Sequence, residues 1–525
     1  MTVADAGPAA GDQAPWRSSD LGSVARCGSL NFVGAAINGL LQFLLVVALA
    51  RLLTRAESGA FFEAVALFLI LSNTAELGAD TGLTRMIPSY RVHGRIDDIR
   101  ASLRVSLVPS FAAGAGLAVA VVILAQPLAE LFTNGHSVDA GRVATYIRVL
   151  AVFLPLSCAY TVAVAGTRGF GTMRPNVFVD RIGRAVVQNG ATVAAAGLGG
   201  SAAAIAIAWG LPIALALVVV LVWLMRLVAG VESSYRGERA APTDGRKLAR
   251  EFWTFTAPRG LTGVFQVTIL WVGTLMVGSL MSTSAASVYT ASTRYLVAGS
   301  VVNMAVIQAI GPKLAELLSA GNTDRAREVY RVSTSWLMLT AWPLYMTLAI
   351  YAPLLLHVFG HRYATAAGAS SLIVLSLAML VATGIGPVDM VLLMGGRSFW
   401  NLFNVVVALI LNVALSLLLV PRIGITGAAV AWAASIVFNN VAPLVEVRAF
   451  LKLHPFGRGF PVAAIGSGIC FGAVGLAVRQ VAGLSLPALV ASVAVSCGLY
   501  ALLSWRFREA LELDVLRATV GSRRR

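Results

Sequence analysis

Charged side chains inside long apolar runs are where this chain could do chemistry. Arg294 stands about ten residues into the run 284–312, roughly 15 Å along a helix that rises 1.5 Å per residue. A guanidinium presents a planar fork of donors that grips phosphate or carboxylate oxygens in a bidentate way. Arg294 therefore reads either as an anchor for an anion or as half of a structural pair with a carboxylate such as Asp389. Arg181 and Arg184 lie three apart in the first turns of the run 177–198, and Asp180 precedes Arg184 by four, the spacing of an intrahelical ion pair. They either draw an anion into a cavity or line a solvated mouth. Arg259, after Pro258, reads the same way, and Arg85 sits near the exit of the run 60–87. Glu76 and Asp80 share a helix face. With Asp389 they either carry a coupling proton or sodium ion or balance the arginines. A charge at the centre of a membrane helix costs about 2.5–3.5 kcal/mol and marks a cavity or a partner.

The elements that must position these groups follow from composition. Of 525 residues, 58% are hydrophobic and only 12% charged, half the roughly 25% charge of a soluble domain. The apolar residues come in runs of about 20 or more, the length that crosses a bilayer as a helix. Alternating ten-residue strands, the mark of a membrane barrel, are absent. Runs between polar breaks predict fourteen helices, at 27–53, 60–87, 104–133, 142–167, 177–198, 202–230, 251–281, 284–312, 329–358, 366–394, 398–420, 424–450, 459–481 and 485–505. With both termini placed inside, 29 of the 40 Lys and Arg fall in inside segments and five in outside loops, the bias that orients membrane proteins. The expected organisation is a cytoplasmic tail (1–26), a six-helix lobe (27–230), a cytoplasmic linker (231–250), a second six-helix lobe (251–450), a helix pair (451–505) and a basic cytoplasmic tail (506–525).

Several function classes are excluded by the same reading. The net charge of +16 is the charge of cytoplasmic loops, and no basic segment carries the interleaved aromatics that would bind nucleic acid. Cys27, Cys158, Cys470 and Cys497 are far apart, and the five histidines form no ligand pair, so neither a disulfide framework nor a metal site is expected. A phosphate-binding Gly-x-x-x-x-Gly-Lys loop is missing, which argues against ATP hydrolysis. Residues 1–20 contain Asp5, Asp12 and Asp20 and do not read as a cleaved signal.

The chain also repeats itself. TRMIPSYRVHGRIDD from Thr84 parallels QAIGPKLAELLSAGNTD from Gln308: each has a proline at the exit (Pro88, Pro312) and a Gly-x-x-Asp loop (Gly94 to Asp97, Gly321 to Asp324). GFGTMRPN precedes a helix with Asn189, and MGGRSFWN precedes one with Asn412; GLGGSAAAIAIA parallels GITGAAVAWA. The unit is six helices, an even number. The halves are thus parallel repeats about an axis along the membrane normal, with a site expected between them near the midplane. Asn189 and Asn412 are expected as polar glue between helices, or as sugar contacts.

Four stretches in this order, ALARLLTRAESGAF, ELGADTGLTRMIPSY, SVYTASTRYLVAGSVVNMAVIQAIGPKLAEL and GITGAAVA, resemble the polysaccharide transporter family, the Wzx-like O-antigen flippases of the multidrug/oligosaccharidyl-lipid/polysaccharide (MOP) flippase superfamily. The second departs in order, with Leu77-Gly78 before Gly82-Leu83. The resemblance covers most of 20–450; the last two helices match only as apolar spans. It implies flipping of an isoprenoid-diphosphate-linked oligosaccharide from the inner to the outer leaflet of the bacterial cytoplasmic membrane, by alternating access and without catalysis by the chain. Arg294, Arg181, Arg184, Arg259 and Arg85 would hold the diphosphate. No cofactor is expected beyond a coupling proton or sodium ion. Expected partners are the lipid-linked oligosaccharide, membrane lipids, and a polysaccharide polymerase or glycosyltransferases, around a monomer. The alternatives are a multidrug exporter of the same superfamily, disfavoured because helix 1 has no acid in its core, and a peptidoglycan lipid II flippase.

Overall fold

In lipid every backbone polar group must be satisfied within the chain, so long apolar runs fold as helices. The computed structural model describes residues 18–133, 137–237 and 240–512, and regular structure among them is helical. The first lobe comprises α1 (Ser18–Leu52), α2 (Arg55–Glu76), α3 (Ala79–Val92), α4 (Ile96–Ile123), α5 (Ala125–Phe132), α6 (Ser137–Ala151), α7 (Leu154–Gly169), a π-helical turn Pro175–Arg184 running into α8 (Ala185–Gly197), and α9 (Ala202–Ser234). The second comprises α10 (Gly245–Leu280), α11 (Thr283–Ser319), α12 (Thr323–Ile350), α13 (Ala352–Leu356), α14 (Ala366–Ile385), α15 (Val388–Met394), α16 (Ser398–Ile423) and α17 (Ile425–Leu451). Last come α18 (Gly459–Ser467), a π turn, α19 (Val474–Ala482) and α20 (Leu486–Arg506).

Among the described residues ten helices are long and apolar enough to cross a membrane, or twelve if each of two bent pairs is one span. The expected count of fourteen is therefore not established. Pro175–Gly197 and Thr283–Ser319 stand where the fifth and eighth spans were expected but are outside that set; the former carries Asp180, Arg181 and Arg184 within 23 residues. Boundaries also move. The first helix begins at Ser18 rather than at 27, and its membrane-length segment is Asn31–Leu52. Residues 1–17 and 513–525, parts of the expected tails, lie outside the described residues.

Equivalent landmarks of the two halves adopt equivalent structure. Gly94 and Gly321 both sit at positive φ (67° and 72°), as do Gly171 and Gly396 (82° and 77°), a conformation that costs glycine nothing. Asn189 donates to the Leu41 carbonyl at 2.6 Å, tying α8 to α1; Asn412 donates to the Ile269 carbonyl at 3.4 Å, tying α16 to α10. The same helix pair is thus joined by the same residue type in each half.

The run 60–87 is broken rather than continuous. Leu77 (φ 48°) and Gly78 (φ 75°) are both left-handed, separating α2 from α3. The break lets the halves touch: a Cβ on Gly78 would stand 2.6 Å from the Gly260 Cα, and one on Gly82 would meet Thr256 and Phe252. Small residues permit such close crossings. The contact continues along α2, where Gly263 faces Asn73 and Gly278 faces Glu63. α2–α3 and α10 therefore form an antiparallel seam between the lobes.

Beyond the Glu63 end of the seam a second set of contacts spans the lobes. The Ser58, Ser287 and Tyr363 hydroxyls form a ring at 2.8–2.9 Å. Arg51 donates to the Val358 carbonyl (2.8 Å) and Arg55 to the Arg362 carbonyl (3.3 Å). Phe43 packs on Tyr295 and Phe359. At the opposite end Arg95 bridges Asp98 (2.7 Å) and Glu251 (3.2 Å), while Asp98 accepts from the Thr243 amide and hydroxyl. The linker is thereby pinned to the first lobe.

Candidate functional site

The arginines expected to act together do not share one environment. Arg294 lies on α11, 9% exposed, with its guanidinium carbon 4.4 Å from the Trp271 ring centroid. Its Nε has no hydrogen-bond partner, and among the described residues no ion pair reaches it. Trp271 and Arg294 sit at similar distances on either side of the turn at Met281–Ser282, so a helical hairpin places them at one depth. A cation–π contact is worth about 0.5–2 kcal/mol, less than the roughly 2.5–3.5 kcal/mol cost of a charge at mid-membrane. The contact with Trp271 therefore offsets only part of that cost. The structural alternative, a pair with Asp389, is not what the fold makes: Asp389 is exposed at the start of α15 and is not joined to Arg294.

Arg85 and Arg259 come together from opposite lobes. Both are exposed, and both lie on the ring of Phe255, with guanidinium carbons 4.1 and 4.0 Å from its centroid. The two charges are therefore within about 8 Å of each other, the sum of those distances, where like charges repel by about 2 kcal/mol at an effective dielectric of 20. Arg259 also donates to the Phe255 carbonyl. Among the described residues neither arginine has an ion-paired carboxylate. Two guanidiniums on one aromatic ring, without carboxylates, have the donor chemistry to grip an oxyanion with several oxygens.

Arg181 and Arg184 part company. Arg184 is enclosed by its own helix and α7: it pairs with Asp180 (3.0 Å), donates to Gln188 (3.0 Å) and stacks 5.6 Å from the Tyr160 ring, whose hydroxyl donates to the same Asp180. Gln188 passes the network on to the Trp209 carbonyl. The expected Asp180–Arg184 pair is present and has a packing role. Arg181 is half-buried and donates only weakly, at 3.3 Å, to the Asn31 carbonyl of α1.

The acids divide in the same way. Asp80 lies 3.9 Å from Arg168, and the buried Glu76 accepts from Ser72 at 3.3 Å. Arg168, counted from sequence as a loop residue, is thus the cation that faces Asp80 within the first lobe. Sequence reasoning gave Glu63 no role. It is fully buried in the α2–α10 seam beside Gly278, and neither carboxylate oxygen has a hydrogen-bond partner. The only signal available was an acid inside an apolar run; its seat against the second lobe was not. Among the described residues no His, Cys, Asp or Glu cluster could hold a metal ion.

A family model described as "Polysaccharide biosynthesis protein" matches residues 48–367. The chain is similar in fold to a solved structure of the lipid II flippase MurJ in an inward closed conformation (TM-score 0.68, 11% identity, 91% of this chain and 99% of that one). It is also similar to a MOP superfamily transporter from Pyrococcus furiosus (TM-score 0.56, 16% identity, 82% and 95%) and to an inward-facing multidrug resistance MATE family transporter of the MOP superfamily (TM-score 0.57, 14% identity, 81% and 94%). No curated protein matches. At these identities the likeness is one of fold.

Proposed function

The chain belongs to the polysaccharide biosynthesis protein family, and from that premise we propose that it flips an isoprenoid-diphosphate-linked oligosaccharide from the inner to the outer leaflet of a bacterial cytoplasmic membrane. The observation that carries the reading is the pair Arg85 and Arg259, contributed by different lobes to one ring and left without carboxylates. A diphosphate captured between them touches both moving parts at once. Arg294, buried against Trp271, is the deeper station for the same charge. Rocking of the lobes about the α2–α10 seam then carries the headgroup past the midplane while the isoprenoid stays in lipid. Both termini face the cytoplasm in this reading, as the Lys and Arg bias requires, and the chain acts without catalysis of its own.

The test is deletion of the gene in its host, with mass spectrometry of isoprenoid-diphosphate oligosaccharides and leaflet labelling. Inner-leaflet accumulation with loss of a surface glycan supports the proposal and identifies the cargo by mass; a peptidoglycan precursor in that pool transfers the activity to lipid II. No accumulation, with raised sensitivity to cationic drugs, overturns it in favour of the exporter.

A further inference from the structure

We propose that a pocket at the inner end of the second lobe binds the headgroup of an inner-leaflet phospholipid carrying both a phosphate and a primary ammonium. The pocket has a volume of about 280 Å³ and is walled by three separate segments: the first turns of α12, the loop Gly457–Gly459, and the turn Ala510–Glu512 after α20. That volume is just below the roughly 300–1,000 Å³ of small-ligand sites, room for a headgroup rather than a whole lipid. It lies where α12 and α18 begin and α20 has just ended, hence at the level of the headgroups rather than the hydrocarbon. Lys452, Arg458 and Arg508 put it on the cytoplasmic side by the charge bias.

The walls are fixed. Trp336 donates its indole N–H to the Leu511 carbonyl at 3.0 Å, and Leu511 is buried against Met338 and Ala463. A Cβ on Gly459 would stand 2.8 Å from the Ser335 Oγ and 2.9 Å from the Ala510 carbonyl oxygen.

The charges of the pocket are arranged in two uncompensated halves. Arg327 is neutralised by Asp324 at 2.7 Å. Arg331 is not: its Nη2 meets the His454 ring at 2.6 Å and its Nε has no partner. Burial, together with Arg331, Arg327 and Arg448, holds His454 below the usual histidine range. The imidazole is thus neutral and accepts from Arg331 without cancelling its charge. Arg458 likewise has no ion pair among the described residues. On the acid side, Glu328 and Glu512 face the pocket without a cation, and burial together with Glu328 pushes Glu512 up.

Two free guanidiniums beside two free carboxylates suit one phosphate and one ammonium. An anionic headgroup without an amine leaves both carboxylates unanswered. A quaternary ammonium has no N–H to give them. A lipid so held spans the joint between the second lobe and the α18–α20 pair, which already meet through Arg479 and the Ile350 carbonyl at the opposite end.

The test is native mass spectrometry of the purified, delipidated full-length chain. It is titrated with phosphatidylethanolamine, phosphatidylcholine and phosphatidylglycerol of matched acyl chains, and with soluble glycerophosphoethanolamine. Phosphatidylethanolamine should bind about tenfold or more tighter than the other lipids, the equivalent of one charge-assisted hydrogen bond. Arg331→Gln with Arg458→Gln should lower its affinity about tenfold or more. Glu328→Gln with Glu512→Gln should erase its advantage over phosphatidylcholine while phosphatidylcholine binding is unchanged. Should the arginine variant misfold, judged by its melting without lipid, the exposed Glu328→Gln alone must still reduce the preference. Equal binding of the three lipids, or variants that bind as the parent does, overturns the proposal. So does equally tight binding of glycerophosphoethanolamine, which makes the pocket a site for a soluble ligand.

Discussion

At the scale of single residues, the useful distinction is between charges the fold has already paired and charges it has left open. Arg184 is locked to Asp180, Gln188 and Tyr160, whereas Arg294 has only an aromatic face. Arg294→Ala should therefore reduce flipping in proteoliposomes about tenfold or more, the weight of a charge-assisted contact to phosphate, with the melting temperature unchanged or raised. Arg184→Ala should act in the opposite order, costing about 3–5 kcal/mol by orphaning Asp180 and lowering the melting temperature first. Equal effects of the two would remove the distinction. Glu63 makes a third case. Its carboxylate is covered by the second lobe without a donor, and a buried charge without a partner is costly. Glu63→Gln keeps the shape without the charge, so it should favour the closed outer half. Maleimide labelling of a cysteine placed at Thr283 would then slow relative to the parent background. His454 adds a pH dependence of known sign. Its folded value lies below the usual 6.5, so its stabilisation is complete above about 6.5 and lost as pH falls through the folded value. Melting curves between pH 7 and 5 should show that loss, and His454→Gln should flatten it.

At the scale of elements, much was legible and the remainder had physical causes for being hidden. Apolar runs located the helices because lipid forces backbone groups to pair within each one. The repeat predicted that Asn189 and Asn412 would do one job, and both bind a helix carbonyl of the first span in their half. Phe255 beside Arg259 was readable as an i, i+4 pair; that Arg85 shares the ring was not, because it arrives from the other lobe. The break at Leu77–Gly78 was hidden for a different reason. Its apolar residues continue the run, and only the requirement that α3 pass close to α10 forces a left-handed turn there. That crossing gives an element-scale prediction. Gly260 lies so close to the Leu77 carbonyl that a methyl group cannot be added without displacement. Overpacking of this kind costs about 1–3 kcal/mol. Gly260→Ala should hold the inner end of the seam open, increasing cysteine accessibility at Thr256 about fivefold or more. An unchanged rate would mean that the crossing is not under strain.

At the scale of the whole molecule, the two ends of the inter-lobe space are closed by different chemistry, and this decides how the proposed cycle, entered from the cytoplasmic side, can be arrested. The inner closure is a glycine crossing with one inter-lobe ion pair, Arg95–Glu251, whose carboxylate is exposed, a contact worth little in water. The outer closure is a ring of three buried hydroxyls with two arginine-to-carbonyl bonds beyond it. Separating that ring exposes three groups that water can satisfy, so the outer end can open without leaving polar atoms orphaned. Ser58 and Ser287, one from each lobe, place their Oγ atoms 2.8 Å apart, close enough for cysteines at both positions to reach the roughly 2.05 Å of a disulfide with small rotations. In a background lacking Cys158, Cys470, Cys497 and Cys27, oxidation of Ser58→Cys/Ser287→Cys should stop delivery of a labelled isoprenoid-diphosphate glycan to the outer leaflet. Binding of that cargo from the inner side should continue, since Arg85 and Arg259 lie at the other end of the seam. Reductant should restore delivery. If the oxidised protein flips at the parent rate, the two lobes do not need to part at this ring, and transport must proceed by a path other than rocking about the α2–α10 seam.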